Sequence, residues 1–141
     1  MTIYIVNGPN LNLVGKREPE IYGNVSLDEF LSSLAEQYKD RVEIKLYQNN
    51  CEGELLDYLQ KIGFDDSVKI IFNAGAFGHT SLALGDCIRA ITAPVIDVHI
   101  SNVHARESFR QNSYVTPACV GSISGLGHEG YRLAVEWYLA S

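Results

Sequence analysis

Three separated stretches of the chain gather side chains able to bind anions and move protons. The first opens with Asn7-Gly8-Pro9-Asn10 and continues to Arg17 and Tyr22. The second is Asn73-Ala74-Gly75-Ala76-Phe77-Gly78-His79, and the third runs from His99-Ile100-Ser101-Asn102 to Arg106, with Arg110 close behind. Arginines clamp carboxylates and phosphates through forked hydrogen bonds. A close arginine also lowers the pKa of a tyrosine, by ~1–3 units for an adjacent opposite charge. A tyrosinate held in this way can act as a general base, and His99 as a general acid or proton relay. Other chemistries lack their residues. No G-x-S-x-G nucleophile elbow occurs, and the histidines match no H-E-x-x-H or related metal pattern.

Each of these residues also has a plainer reading. Tyr22 reads equally well as a loop aromatic that tethers its segment. His99, at a strand end, reads as a hydrogen-bonded core histidine. Arg106 and Arg110 stand about one helical turn apart and read as a solvent-facing pair. Asn7 and Asn73 read as turn formers. What favours function is the place where the three stretches fall in the fold.

That place follows from the elements around them. Ile3, Ile5 and Val6 mark a strand over Thr2–Val6, followed by a long irregular segment to Asn24 that carries Gly15, Pro19 and Gly23. A loop longer than ~12–15 residues in a compact domain is usually functional, and this one is expected to be a lid. Ser26-Leu27-Asp28-Glu29 has the capping-box pattern, and the apolar spacing from Leu27 to Tyr38 predicts a helix. Val42, Ile44 and Leu46 alternate with polar residues, as in a strand near a sheet edge. Leu55, Leu56, Leu59 and Ile62 predict a second helix, ended by Gly63. Val68–Phe72 is a third strand, and Thr80 or Ser81 is placed to cap a helix carrying Leu82, Leu84, Cys87, Ile88 and Ile91. Pro94–His99 is a fourth strand, with a short helix expected near Arg106; Ala118–Ser124 is a fifth, and Tyr131–Ala140 a last helix. This alternation predicts an α/β, flavodoxin-like three-layer sandwich around a five-stranded parallel sheet of order 2-1-3-4-5. Ligands of such sheets bind beyond the carboxyl ends of the strands, at the switch between strands one and three. The three reactive stretches follow strands one, three and four.

Gly125-Leu126-Gly127-His128-Glu129-Gly130 matches the dinucleotide pattern G-x-G-x-x-G, but the chain ends before the acidic residue expected ~20 positions on. Its glycines are expected to serve a tight turn and the packing of the last helix.

Composition bounds the reading further. The 141 residues, 46% hydrophobic and 20% charged, suit one folded domain over 1–141 and argue against disorder. A net charge of −6 argues against a nucleic-acid surface. No apolar run has the length of a signal peptide or a membrane span, so a cytoplasmic protein without membrane partners is expected. Cys51, Cys87 and Cys119 form neither a disulfide framework nor a zinc pattern. A chain this short encloses a deep pocket with difficulty, and a partner subunit is expected to help.

The sequence resembles the type II 3-dehydroquinate dehydratases. The resemblance rests on Asn7-Gly8-Pro9-Asn10-Leu11-Asn12, Arg17-Glu18-Pro19, Tyr22-Gly23, Asn73-Ala74-Gly75, His79-Thr80-Ser81, Val98 to His104 with Arg106 and Phe109-Arg110, and Gly125 to Tyr131. It implies dehydration of 3-dehydroquinate to 3-dehydroshikimate in the shikimate route to aromatic amino acids, without metal, organic cofactor or Schiff-base lysine. By the family's pattern Tyr22 takes the proton alpha to the ketone and His99 protonates the departing hydroxyl. Arg17 stabilises the charged transition state, and Asn10 holds a water at the enolate. Asn73, His79, Ile100 (through its backbone), Ser101 and Arg110 hold the substrate, with Arg106 in support. The resemblance also implies a homododecamer, a tetramer of trimers, in which Asp86 reaches the neighbouring subunit's site. Two departures stand out. Asp97 occupies a position where the family often has the Glu that orients the histidine, and Gly78 precedes His79 where Thr is common.

Overall fold

Alternation along the strands assigns each residue to one face of the sheet, and that parity also places the site. In the computed structural model, which describes residues 1–16 and 25–141, β1 spans Thr2–Asn7, β2 Glu43–Gln48, β3 Val68–Asn73, β4 Val95–His99 and β5 Gly121–Ser124. Every neighbouring pair is parallel, in the order β2-β1-β3-β4-β5. The expected topology is therefore the observed one.

Ile3, Ile5, Ile71, Ile96 and Val98 share one face of the sheet. They are covered by α1 (Leu27–Gln37), through Leu27, Leu31 and Leu34, and by the last helix, α4 (Glu129–Ala140), through Tyr131, Ala134, Val135 and Tyr138. Val6, Val68, Ile70, Phe72 and Val95 face the other way, under α2 (Glu52–Ile62) and α3 (Leu82–Ala90). By the same parity Asn7 and Asn73 fall on the α1/α4 face, and Asp97 and His99 on the α2/α3 face.

The helix starts follow local chemistry. Ser26 Oγ accepts from the Glu29 amide at 3.2 Å, and Ser81 Oγ from the Leu84 amide at 3.0 Å, so Ser81 rather than Thr80 caps α3. Leu82 lies on the exposed side of that helix, and Ile91 is its extended C-cap.

One expectation is met in a shorter form and another needs correction. The short helix expected near Arg106 is present as 3₁₀ turns, Val103–Ala105 and Ser108–Gln111, on either side of it. The segment lacks a continuous apolar stripe, so nothing favours burying one helical face. The fifth strand starts at Gly121 rather than Ala118, because Thr116–Ala118 closes a 3₁₀ turn in which the Cys119 amide bonds the Thr116 carbonyl. Pro117, with no N–H, suits that turn and cannot donate to a ladder.

Candidate active site

The ends of β1 and β3 lie side by side, with Asn7 and Asn73 as register partners. Both amides turn under the sheet to the fully buried Tyr131 of α4. Its hydroxyl donates to Asn7 Oδ1 at 2.8 Å and accepts from Asn73 Nδ2 at 2.9 Å. Burial pushes the Tyr131 phenol well above its usual value, with the two asparagine bonds pulling weakly the other way. This tyrosine therefore stays neutral and serves as a clamp between two strands. Asn73 Oδ1 accepts from the Gly75 amide, so Asn73 lines the cavity with most of its amide already engaged. Above the clamp the two loops nearly touch: a Cβ on Gly8 would lie 2.4 Å from the Ala74 carbonyl oxygen. Only glycine permits that approach. Asn10 follows in a left-handed conformation (φ 68°), its amide bonded to Asn50 Oδ1.

At the end of β4, His99 Nε2 lies 2.9 Å from Asp97 Oδ2, two residues earlier on the same face. An ionised carboxylate only accepts, so the shared proton sits on Nε2, and Nδ1 is the ring nitrogen left for a ligand. The shorter acid at position 97 thus reaches the histidine. The His79 ring lies nearly parallel to that of His99, with centroids 6.2 Å apart. Its Nδ1 donates to the Asn112 carbonyl at 2.8 Å, which leaves Nε2 as its free nitrogen. Gly78 sits within an ordered 3₁₀ turn, Gly75–His79, and its carbonyl accepts from the Tyr114 amide.

The arginines stand on the outer wall. Arg110 Nε donates to Glu107 Oε2 at 2.6 Å, and that bond holds the Glu107 carboxyl below its usual range. Arg106 Nη1 reaches Ser101 Oγ at 3.4 Å. The two arginines keep contact with solvent, Arg106 more than Arg110, and both also line the same cavity as the histidines.

That cavity, about 310 Å³, opens beyond the carboxyl ends of β1, β3 and β4 and is lined by Asn10, Asn73, His79, His99, Ile100, Ser101, Arg106 and Arg110, among others. Its size falls at the low end of small-molecule pockets. Asp97 backs His99 from within the protein. Asp86 is exposed on α3 and does not line the cavity of its own chain. Arg17 and Tyr22 lie outside the described residues. Among the described residues no group of three or more His, Cys, Asp or Glu is placed to hold a metal. Burial, aided by the Asp97 charge, pushes the Cys119 thiol up to about 12, which disfavours the thiolate that a nucleophile needs.

Sequence reasoning missed the residues behind the histidine. Thr116 Oγ1 and Ser122 Oγ bond Asp97 at 2.6 and 3.2 Å. One signal was available: in a parallel sheet Ser122 is the register neighbour of Asp97, so a strand alignment would have paired them. The role of the Tyr131 hydroxyl leaves no trace in helical spacing, which registers only the buried ring.

Fold and site together define a flavodoxin-like α/β protein with a cleft at the strand ends lined by two histidines and two arginines. Comparison with known proteins places it within that class. The family model described as dehydroquinase class II matches residues 1–139. A 3-dehydroquinate dehydratase from Clostridium beijerinckii is 48% identical over 137 residues, covering 96% of this chain and 94% of the relative. One from Exiguobacterium sp. is 50% identical over 136 residues, 96% and 92% of the two chains. The crystal structure of a type II dehydroquinase from Butyrivibrio crossotus superposes with a TM-score of 0.91 at 40% identity, covering 100% of this chain and 98% of that one. The chain belongs to the dehydroquinase class II family and is an enzyme of that class, a hydro-lyase.

Proposed function

We propose that the chain, as one catalytic domain over residues 1–141, dehydrates 3-dehydroquinate to 3-dehydroshikimate in the shikimate route to aromatic amino acids. One observation carries this reading: a carboxylate-anchored histidine and two arginines face a single cleft at the strand ends. An anionic β-hydroxy ketone needs these groups. Its carboxylate needs cations, and its hydroxyl needs a proton in order to leave.

In this mechanism the Tyr22 phenolate, kept ionised by Arg17, removes the proton alpha to the ketone. The electrons of the C–H bond pass into an enolate, stabilised by a water held at Asn10. The enolate then re-forms the ketone and expels the β-hydroxyl, which takes a proton from His99 Nδ1 and departs as water. His99 is left neutral and Tyr22 protonated, so one proton must return from the tyrosine to the histidine before the next turnover. The Nε2 bond to Asp97 supports this role, because it stabilises the imidazolium and directs the other nitrogen to the substrate. Arg110, with Arg106 in support, takes the carboxylate; Asn73, His79, Ser101 and the backbone of Ile100 orient the hydroxyls.

The same reading makes the enzyme a cytoplasmic homododecamer, a tetramer of trimers, in which Asp86 completes the site of a neighbouring subunit. The exposure of Asp86 away from its own cavity is consistent with that. Among the described residues no helix is long and apolar enough to cross a membrane.

The direct test adds 3-dehydroquinate and follows the ultraviolet absorbance of the conjugated enone. A rise is expected; its absence at micromolar enzyme would sink the reading. Tyr22→Phe is expected to keep fold and assembly and lose nearly all turnover, and near-normal turnover would show that Tyr22 is not the base. Light scattering that returned a stable, fully active monomer would contradict the shared role of Asp86.

A further inference from the structure

Asp97 is fully buried, and its two oxygens are treated unequally. Oδ2 accepts from three donors: His99 Nε2 at 2.9 Å, Thr116 Oγ1 at 2.6 Å and Ser122 Oγ at 3.2 Å. Oδ1 is buried with no hydrogen-bond partner among the described residues. A carboxylate bonded so unevenly would gain by turning, unless the groups around Oδ2 fix it.

The hydroxyl side of this network has a defined direction. Ser113 Oγ accepts from the amides of Val115 and Thr116 at 3.1 and 3.0 Å. With both lone pairs engaged, its own proton is available only to Thr116 Oγ1, 2.9 Å away. Thr116 in turn commits its single proton to Asp97. The chain therefore runs from Ser113 through Thr116 to the carboxylate, and it starts on backbone amides of a 3₁₀ turn. Ser122 arrives from the other side, on β5, as the register partner of Asp97.

We propose that Thr116 and Ser122 are positioning residues for His99. Their hydroxyls hold Asp97 Oδ2 where it accepts from Nε2, which fixes the tautomer and ring angle that present Nδ1 to the cavity. Aspartate is a short carboxylate, and the two hydroxyls give it a fixed orientation. Ser113 acts one step further back by orienting the Thr116 hydroxyl. The proposal rests on the reading of His99 as the general acid.

The test uses Thr116→Val, Thr116→Ser and Ser122→Ala in the full-length enzyme, with His99→Gln as the reference. Steady-state assays on 3-dehydroquinate are paired with ¹⁵N NMR of the His99 ring, which reports its tautomer. Thr116→Val is expected to lower kcat about tenfold to a hundredfold with KM little changed, the scale of a modest misplacement of a catalytic group. In the neutral ring, the form present once the Nδ1 proton has been given up, the Nε2–H tautomer should give way to a mixture. Thr116→Ser keeps the hydroxyl and is expected to restore both readouts. Ser122→Ala, with the longer bond, should show the same pattern more weakly. Parent-like kcat and tautomer in both Thr116→Val and Ser122→Ala would overturn the proposal, while loss of turnover in His99→Gln would leave the acid reading intact. If His99→Gln retained turnover, the acid reading itself would fall. Should Thr116→Val prove too unstable to assay, Ser122→Ala decides alone: an unchanged ring spectrum and kcat overturn the proposal.

Discussion

The two walls of the cleft are built in opposite ways. At the end of β4, His99 is anchored to a carboxylate with 0% exposure, which two hydroxyls hold from behind. On the outer wall, Arg110 sits on a short 3₁₀ turn and Arg106 between two such turns, and both pair with Glu107, whose side chain is 55% exposed. The inner wall is anchored on a buried carboxylate, whose bonds to His99 and Thr116 water screens little, while Ser122 reaches it from an exposed position on β5. The outer wall is held by an ion pair that salt weakens and that an incoming anion can replace. Proton transfer depends on sub-ångström placement, so its group is locked. Capture of an anion tolerates movement and gains from accessible charge, so its groups remain at the surface.

The contrast fails if the inner wall can be altered without cost. His99→Gln is expected to lower kcat by about 10²–10⁴-fold, the usual contribution of a positioned acid, with KM little changed. A change confined to KM would mean that His99 only binds. On the outer wall the effect should be smaller and of the opposite kind. Arg110→Ala is expected to raise KM about tenfold to a hundredfold, from the loss of a charge-assisted hydrogen bond of about 1.5–3 kcal/mol. Increasing ionic strength should raise the parent's KM but leave kcat nearly constant; equal sensitivity of the two would erase the distinction between the walls.

Beneath both walls, Tyr131→Phe removes the clamp between β1 and β3 and leaves a buried acceptor and donor unpaired. A loss of about 1–3 kcal/mol is expected in urea unfolding. A change below the fitting error would mean that the strands hold their register without it.

His128, away from the cleft and beside Phe30, has a buried Nε2 with no partner among the described residues, and burial lowers its pKa. Because the unfolded chain binds this proton more readily than the folded one, stability should fall as pH drops below about 6.5, the unperturbed histidine value. The fall should continue until the folded-state value is passed. Unfolding curves at successive pH values check this, and His128→Gln should flatten the dependence.

The smallest effect is expected at Gly78, where an added Cβ would meet only ordinary contacts, the nearest being Ala74 Cβ at 3.7 Å. Gly78→Ala should stabilise the protein by about 0.4–1 kcal/mol by restricting the unfolded chain, with turnover unchanged. A drop in kcat would show that the space beside His99 is needed.

Much of this molecule was legible in its sequence. Apolar runs at Ile3 to Val6 and Val68 to Phe72, alternation in Val42 to Leu46 and helical spacing from Leu27 to Tyr38 point to the strands and helices, and their order along the chain implies the sheet order. The sheet order in turn gathered His79, His99 and the arginines at one edge. These are local signals, set by burial of one face of a helix or of both faces of a central strand. Thr116 and the start of β5 were less legible. A proline turn redirects the chain there, and a threonine hydroxyl carries no periodic signal.

By itself, the sequence determined which side chains exist and which strand ends they follow, because hydrophobic period and turn residues act over a few positions. Only the tertiary structure decided how they are bonded. It turned Asn7 and Asn73 toward Tyr131, which lies 124 residues from the first of them in sequence. It set Ser122 beside Asp97 and brought Thr116 to the same oxygen. The physical reason is that a hydrogen bond depends on distances of tenths of an ångström between remote segments. Those distances are fixed only once parallel strands take their register and helices pack across them.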